Sequence, residues 1–124
     1  MFLLDTQIFL WAWEGNRRLK AETRKTIAAS RSFVSVASAW EVAIKTSIGK
    51  LTLQDSFESA VDACGFEKLG ISFRHAELTT TLPHHHRDPF DRLLVAQAFA
   101  EGLTLLTADA QLASYAPMPV RVLR

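Results

Sequence analysis

One segment constrains the fold of this chain more than any other: residues 88–99, which read Asp-Pro-Phe-Asp-Arg-Leu-Leu-Val-Ala-Gln-Ala-Phe. Asp88 followed by Pro89 predicts a helix start, because aspartate is a good N-cap and proline at the first helical position lacks an N–H that would have no partner there. The apolar residues that follow occupy most sides of the helix, which indicates a buried, central element. Asp91 is anomalous, since Asp88 already supplies the cap. A first-turn carboxylate without a capping role suggests a functional site.

Length and composition fit an ordinary globular protein. The 124 residues are 48% hydrophobic and 22% charged, which predicts one domain over residues 1–124. The formal charge of +1 does not by itself indicate a nucleic-acid partner, and the basic segment at 17–31 is interpreted as a solvated helix face. The lone Cys64 excludes an internal disulfide. With no membrane-length apolar run and no charged signal-peptide start, we expect a cytoplasmic protein.

Short apolar runs alternate with helical patterns along the chain. The predicted strands are 2–4, 32–36, 67–72, 103–107 and 119–123. Between them lie helices at 17–30, 38–48, 55–64, 73–82 and 109–114, a helical pattern with apolar residues at 8, 9, 11 and 12, and the helix that starts at Pro89, with its last apolar residue at Phe99. Ser38 and Glu41 match a capping box, which predicts that the third helix opens at Ser38. This alternation predicts a three-layer α/β/α sandwich with a central, mostly parallel sheet.

Acidic residues recur where predicted strands give way to helices. These acids are Asp5, Glu41, Asp91 and Asp109. In an open parallel sheet such turns share one edge, where these folds bind ligands. Each acid alone also suits a helix N-terminus, a contact worth about 0.3–1 kcal/mol. Two carboxylates about 4 Å apart, however, repel by roughly 4 kcal/mol at an effective dielectric near 20, so a cation is needed. Oxygen ligands without a His and Cys set favour Mg²⁺ or Mn²⁺, the ions of phosphoryl chemistry.

Several stretches together resemble the PIN-domain family, and most closely its VapC-like toxins. They are Leu3-Leu4-Asp5-Thr6, Ser38-Ala39-Trp40-Glu41 with Ala43-Ile44-Lys45 and Gly49-Lys50-Leu51, Leu82-Pro83 with His85-His86-Arg87-Asp88-Pro89-Phe90-Asp91-Arg92-Leu93-Leu94, and Thr107-Ala108-Asp109. The resemblance covers nearly the whole chain, and its most specific part is the segment 86–98. One departure is Gln7, where relatives often carry His or Asn.

The resemblance implies the toxin of a toxin–antitoxin pair, an endoribonuclease that cleaves RNA with metal-activated water. It assigns catalysis and metal binding to four acids: Asp5, Glu41, Asp91 and Asp109. Thr6 and Thr107 would be supporting hydroxyls. The implied cofactor is Mg²⁺, with Mn²⁺ as an alternative, and the implied partners are an RNA substrate and a small cognate antitoxin. We also expect a homodimer and no membrane association.

Basic residues near the predicted site have two interpretations. Lys45 could only pair with Glu41 at i, i+4, a contact worth about 0.2–0.5 kcal/mol, or it could contact RNA phosphate, and the sequence favours neither. His86 and Arg87 are further candidates for RNA contact. Consecutive loop residues rarely converge on one ion, so we interpret residues 84–86, three histidines, as a solvated loop near the site rather than as metal ligands.

Other function classes fit the sequence less well. A signalling receiver domain would need paired acids after the first strand, whereas Asp5 has no acidic neighbour, and it would need a late lysine, whereas no Lys follows Lys68. A phosphatase with an Asp-x-Asp motif would need an acid at Gln7. A catalytically silent PIN-like module that binds protein or RNA remains open as the alternative to the nuclease.

Overall fold

The computed structural model describes residues 1–83, 88–115 and 119–123, which form a five-stranded sheet flanked by helices. The strands are β1 (Phe2–Leu4), β2 (Ser32–Ser35), β3 (Glu67–Leu69), β4 (Thr104–Thr107) and β5 (Val120–Val122). Their order across the sheet is β3-β2-β1-β4-β5, and all four neighbouring pairs are parallel. In the central strand, Phe2 lies opposite Ser32 on one side and Thr104 on the other. The predicted parallel sheet is therefore confirmed.

Helices connect the strands on both faces of the sheet. They are α1 (Thr6–Glu14), α2 (Ala21–Ala28), α3 (Val36–Ser47), α4 (Phe57–Cys64), α5 (Phe73–Leu78) and α6 (Pro89–Glu101), with 3₁₀ turns at Thr79–Thr81 and Ala110–Tyr115. Three are shorter than predicted, because α2 begins only at Ala21, α4 begins only at Phe57, and the helix at 73–82 tightens into a 3₁₀ turn after Leu78. The helix predicted at 109–114 is a 3₁₀ turn. None of the helices in the described residues is long and apolar enough to cross a membrane.

Two hydrophobic clusters, one on each face of the sheet, make the three layers. Successive strand residues point to opposite faces, so Leu3 joins the cluster under α6 while Leu4 joins the cluster under α1 and α4. Residues 94–98 of α6 are buried, as its sequence predicts. Phe99, however, is 52% exposed, so this helix covers one face of the sheet and is not enclosed on all sides.

The start of α3 corrects the predicted capping box. The N-cap is Ser35, the last residue of β2, whose hydroxyl accepts a hydrogen bond from Ala37 N at 3.0 Å. The helix therefore begins directly at the strand end, and Ser38 and Glu41 lie inside it. One turn apart on the same side, both side chains contact the Thr6 hydroxyl instead of the helix backbone. The pattern at 38–41 thus marks a contact between α3 and α1.

Candidate functional site

The carboxyl ends of the central strands open onto a cavity of about 480 Å³, called the acidic cavity below. Its wall includes the four acids singled out in the sequence, Asp5, Glu41, Asp91 and Asp109. A fifth acid, Asp88, also lines it. The parallel order of the sheet explains the convergence, because β1, β2 and β4 are neighbours and end at the same edge.

Asp5 is the most deeply placed of these acids. It caps α1, accepting a hydrogen bond from Ile8 N at 2.7 Å, and only 6% of its surface is exposed. Burial raises the pKa of this carboxyl from 3.8 to about 6, against hydrogen bonds from Thr107 and Ile8 that lower it, and the nearby charges of Glu41 and Asp109 add to the rise. The ionised form of Asp5 is therefore costly, and a cation in the cavity would favour it.

Glu41 is held from two sides. Its Oε1 accepts a hydrogen bond from the Thr6 hydroxyl at 2.6 Å, and Thr6 in turn lies 2.9 Å from the hydroxyl of Ser38. Its Oε2 lies 3.0 Å from Nζ of Lys45, the ion pair expected from the i, i+4 spacing. Because α1 and α3 both contribute, the position of this carboxylate depends on their packing. Lys45 also lines the acidic cavity, so its side chain lies at the site while it is paired with Glu41.

Thr107 connects two of the acids. This residue is fully buried at the end of β4, and its side chain is hydrogen-bonded to Asp5. Its Oγ1 also accepts a hydrogen bond from Asp109 N at 3.0 Å. The Asp109 carboxylate accepts a hydrogen bond from Gln111 N at 2.9 Å and so caps the following 3₁₀ turn. One hydroxyl thus sets the spacing between the ends of β1 and β4.

The start of α6 supplies the remaining two acids. Oδ1 of Asp88 accepts hydrogen bonds from Phe90 N at 2.9 Å and Asp91 N at 3.4 Å, which confirms the predicted N-cap with Pro89 at the first helical position. Asp91 lies in the first turn and lines the cavity. The N-terminus of this helix therefore faces the acidic cavity.

The profile of the PIN domain matches residues 2–117 of this chain. The chain belongs to the PIN domain family. No curated protein sequence matches it significantly.

Solved structures with the same fold as this PIN domain include three bacterial complexes. VapBC2 from Rickettsia felis, bound to a DNA fragment from its promoter, is 16% identical with a TM-score of 0.73, over 98% of this chain and 97% of that one. A toxin–antitoxin complex from Klebsiella pneumoniae is 20% identical with a TM-score of 0.68, over 98% and 97%. A DNA-bound VapBC from Salmonella typhimurium is 16% identical with a TM-score of 0.67, over 98% and 96%. At these identities the likeness is one of fold.

Two charged residues that line the PIN domain's cavity are not among the predicted site residues. The sequence pattern indicates only a capping role for Asp88, although an N-cap on a helix that points at a cavity lines that cavity too. Lys50 belongs to one of the stretches that resemble the family and has no predicted site role, yet it lies on the cavity wall with Lys45. The signal that could have found it is Gly49, which predicts a helix end and hence a change of chain direction just before this lysine.

Some predicted site residues fall outside the described part of the PIN domain. His84, His85, His86 and Arg87 belong to this group. The predicted RNA contacts of His86 and Arg87, and the solvated loop proposed for the three histidines, therefore stay predictions.

The carboxylates of this PIN domain have the donor chemistry for a hard divalent cation. Within residues 1–83, 88–115 and 119–123, however, no three Asp, Glu, His or Cys side chains are arranged as a group that could hold a metal ion. The four acids share a cavity without forming a finished coordination shell. Their assignment as metal ligands remains a prediction.

Proposed function

We propose that this PIN domain is a metal-dependent endoribonuclease, acting in the cytoplasm as the toxin of a toxin–antitoxin pair. The observation that carries the proposal is the convergence of four carboxylates on one cavity. These are Asp5, Glu41, Asp91 and Asp109. Burial is the main cause of the raised pKa of Asp5, and the charges of Glu41 and Asp109 add to it, so a cation in the cavity would favour the ionised carboxylates.

The same four residues would be catalytic and would hold Mg²⁺, or Mn²⁺ in its place. When bound, such an ion lowers the pKa of water and neutralises negative charge on a phosphodiester. The chain's own hydroxyls have a separate task. Thr6 is hydrogen-bonded to Oε1 of Glu41, and Thr107 is hydrogen-bonded to the Asp5 carboxyl. Both carboxylates are therefore held in fixed orientations for binding a cation.

RNA is the proposed substrate because the resemblance to VapC-like toxins implies it, and its phosphodiester backbone is a ligand that a carboxylate-bound divalent ion can recruit. Lys45 would contact a phosphate while keeping its ion pair with Glu41, because its side chain is 49% exposed. His86 and Arg87, which precede Asp88 in the chain, would add contacts at the start of α6. A catalytically silent binding module is the competing proposal, and the absence of a finished metal-binding group among the described side chains is the observation that favours it.

Cleavage of a mixed RNA pool by the purified chain, with and without Mg²⁺, tests the nuclease proposal. Asp91→Asn should abolish cleavage, because asparagine keeps the shape of the side chain but not its charge. Asp55→Asn is the matched control, since Asp55 is exposed and does not line the acidic cavity. Cleavage that survives both Asp91→Asn and excess chelator would support contaminating activity or another site. RNA binding without any cleavage would favour the silent module.

The toxin assignment is supported by the fold shared with VapBC and other toxin–antitoxin complexes. A cavity walled by carboxylates also suits inhibition by a partner arginine, which can pair with them bidentately. Expression of the chain alone should arrest bacterial growth, and Asp91→Asn should relieve the arrest. A small protein encoded nearby should bind the chain and suppress cleavage. Unimpaired growth despite soluble expression, in a host without such a protein, would refute the toxin role and leave the nuclease role intact.

We further propose a homodimer formed through α3. This helix and its C-cap, Ile48, carry an exposed apolar stripe at four-residue spacing, with Val36 49%, Trp40 61%, Ile44 38% and Ile48 59% exposed. The ring of Trp40 also packs edge-on against Phe90, 5.6 Å between centroids. A stripe along one helix can pair with its own copy about a two-fold axis. Light scattering should give twice the chain mass for the wild type and the monomer mass for Trp40→Glu with Ile44→Glu. A wild-type monomer at micromolar concentration would refute the dimer.

A further inference from the structure

The end of α3 turns a second lysine towards the acidic cavity. Gly49 has φ +76°, and its N–H donates to Thr46 O at 3.2 Å, while Lys50 N donates to Lys45 O at 2.9 Å. These two hydrogen bonds define a Schellman motif, in which the chain reverses through a left-handed glycine. The motif brings the residues at its two ends, here Lys45 and Lys50, to the same side of the helix end.

An apolar pair usually fills these two positions. Here both are lysines, and both line the acidic cavity. Lys45 is paired with Glu41, whereas Lys50 makes no ion pair among the residues that the structure describes, and its side chain is exposed. Because Glu41 already neutralises Lys45, Lys50 is the lysine of this motif whose charge has no ion-pair partner among the described residues.

The carboxylates of the cavity would repel an RNA phosphate, so RNA binding needs a cation such as Lys50 at the cavity wall. A phosphate chain that approaches five acids is repelled at every point that a metal ion does not neutralise. A lysine ammonium is a compact charge with three donors on a flexible stem, which suits an anionic oxygen whose position varies. Lys50 is the cation in the described part of the wall that has no carboxylate partner there.

We propose that Lys50 binds a backbone phosphate of single-stranded RNA at the edge of the acidic cavity, beside the phosphate that is cleaved. This inference rests on the proposed nuclease function and names a substrate-positioning residue for it. Lys50 does not act on the reacting bond. It holds the RNA strand so that the neighbouring phosphodiester lies against the carboxylates.

The test measures RNA binding in a chain that cannot cleave. Full-length protein carrying Asp91→Asn is titrated with a fluorescent single-stranded RNA of mixed sequence, over a range of salt concentrations. Adding Lys50→Ala should weaken binding roughly fivefold to tenfold and lower the slope of log K against log salt by about 0.7, the value for one lost phosphate contact on a single strand. Lys50→Arg should restore most of the affinity, because it keeps the charge.

Lys25→Ala is the matched control. It removes the same charge from α2, where Lys25 is exposed and does not line the acidic cavity. Its effect on RNA binding should stay within about twofold, which separates a local contact from a change of net charge. The melting temperature of the Lys50→Ala protein should equal that of its parent, because an exposed side chain without an ion pair contributes little to folding.

Each other outcome overturns the inference in a distinct way. Equal losses for Lys50→Ala and Lys25→Ala would mean that Lys50 acts only through net charge. A lower melting temperature with unchanged RNA affinity would mean that Lys50 serves to offset repulsion among the carboxylates. No RNA binding by the Asp91→Asn parent, together with no cleavage by the wild type, would refute the nuclease function and this inference with it.

Discussion

The hydroxyl of Thr6 lies 2.6 Å from Oε1 of Glu41 and so joins the first turn of α1 to the middle of α3 at the wall of the acidic cavity. Both residues are nearly buried, with 8% and 9% of their surfaces exposed. A carboxylate in that position depends on its hydrogen bonds, because little water reaches it. This contact therefore contributes to folding as well as to the geometry of the site.

Replacing Thr6 by valine should destabilise the fold. Valine has nearly the same shape but no hydroxyl, so Glu41 loses a charge-assisted hydrogen bond, at a cost of about 1–3 kcal/mol in the free energy of unfolding. Urea denaturation followed by circular dichroism measures the difference. Thr6→Ser keeps the hydroxyl and should lose less than half as much, and equal losses for the two variants would show that the methyl group matters and the hydrogen bond does not.

Replacing Asp5 by asparagine should stabilise the metal-free protein at neutral pH. The native pKa of Asp5 is about 6 against 3.8 unfolded, so between these values the native state holds a proton that the unfolded state has lost. Stability is therefore lost as pH rises from about 4 to about 6, by up to about 3 kcal/mol for a shift of this size. Asparagine does not ionise, so the variant does not lose this stability as pH rises, and its side-chain oxygen can still cap α1.

The comparison of wild type and Asp5→Asn in chelator, from pH 4 to pH 8, checks this sign. The advantage of the variant should be smallest near pH 4 and should grow until about pH 6.5. An advantage that is constant with pH, or that shrinks as pH rises, would contradict a raised pKa at Asp5.

Added Mg²⁺ or Mn²⁺ should raise the melting temperature of the wild type. An ion that binds only the native state stabilises it by mass action, and a hundredfold excess over the dissociation constant corresponds to a rise of about 10 °C in a domain of this size. Asp91→Asn should abolish most of the rise, and Asp55→Asn should keep it. Differential scanning calorimetry provides the measurement, and identical rises in the two variants would place the ion elsewhere.

A buried amide beneath the sheet edge provides a separate prediction about stability. The fully buried Gln97 accepts a hydrogen bond from the Ser35 hydroxyl at 2.6 Å and donates to Gly70 O at 3.2 Å, while its Nε2 lies 3.3 Å from Nδ1 of His75. Gln97→Leu should cost about 1–3 kcal/mol in unfolding free energy, because it leaves buried partners unpaired. Phe99→Leu, on the exposed side of α6, should cost under about 0.5 kcal/mol. Thermal melts of both variants test the contrast.

The sequence predicted best where local chemistry and tertiary position agree. Asp88 and Pro89 start α6 because cap and proline act within one turn, and Leu3 and Leu4 form the central strand because both faces of that strand are covered. The convergence of the acids on one cavity was also predictable, since it follows from strand order in a parallel sheet.

The remainder depends on contacts that no local pattern contains. Ser35 and Ser38 are both serines and are equally good N-caps by residue type. Ser35 is the cap because β2 ends there and α3 begins at the next residue. The contact from Thr6 to Glu41 joins residues 35 positions apart and appears only when α1 and α3 pack together. Lys50 reaches the cavity through a helix-end geometry that depends on where α3 stops.

The order of strands also determines when this site can first exist. β1 lies at the centre of the sheet, and its Phe2 is opposite Thr104 of β4, a residue synthesised near the end of the described chain. At about 5–20 residues per second, a ribosome delivers β4 roughly 5–20 s after β1. Until then, Asp5 has no Thr107 beside it and the cavity lacks one wall. A growing chain therefore carries an unassembled site until β4 has emerged, and any activity begins only after that point.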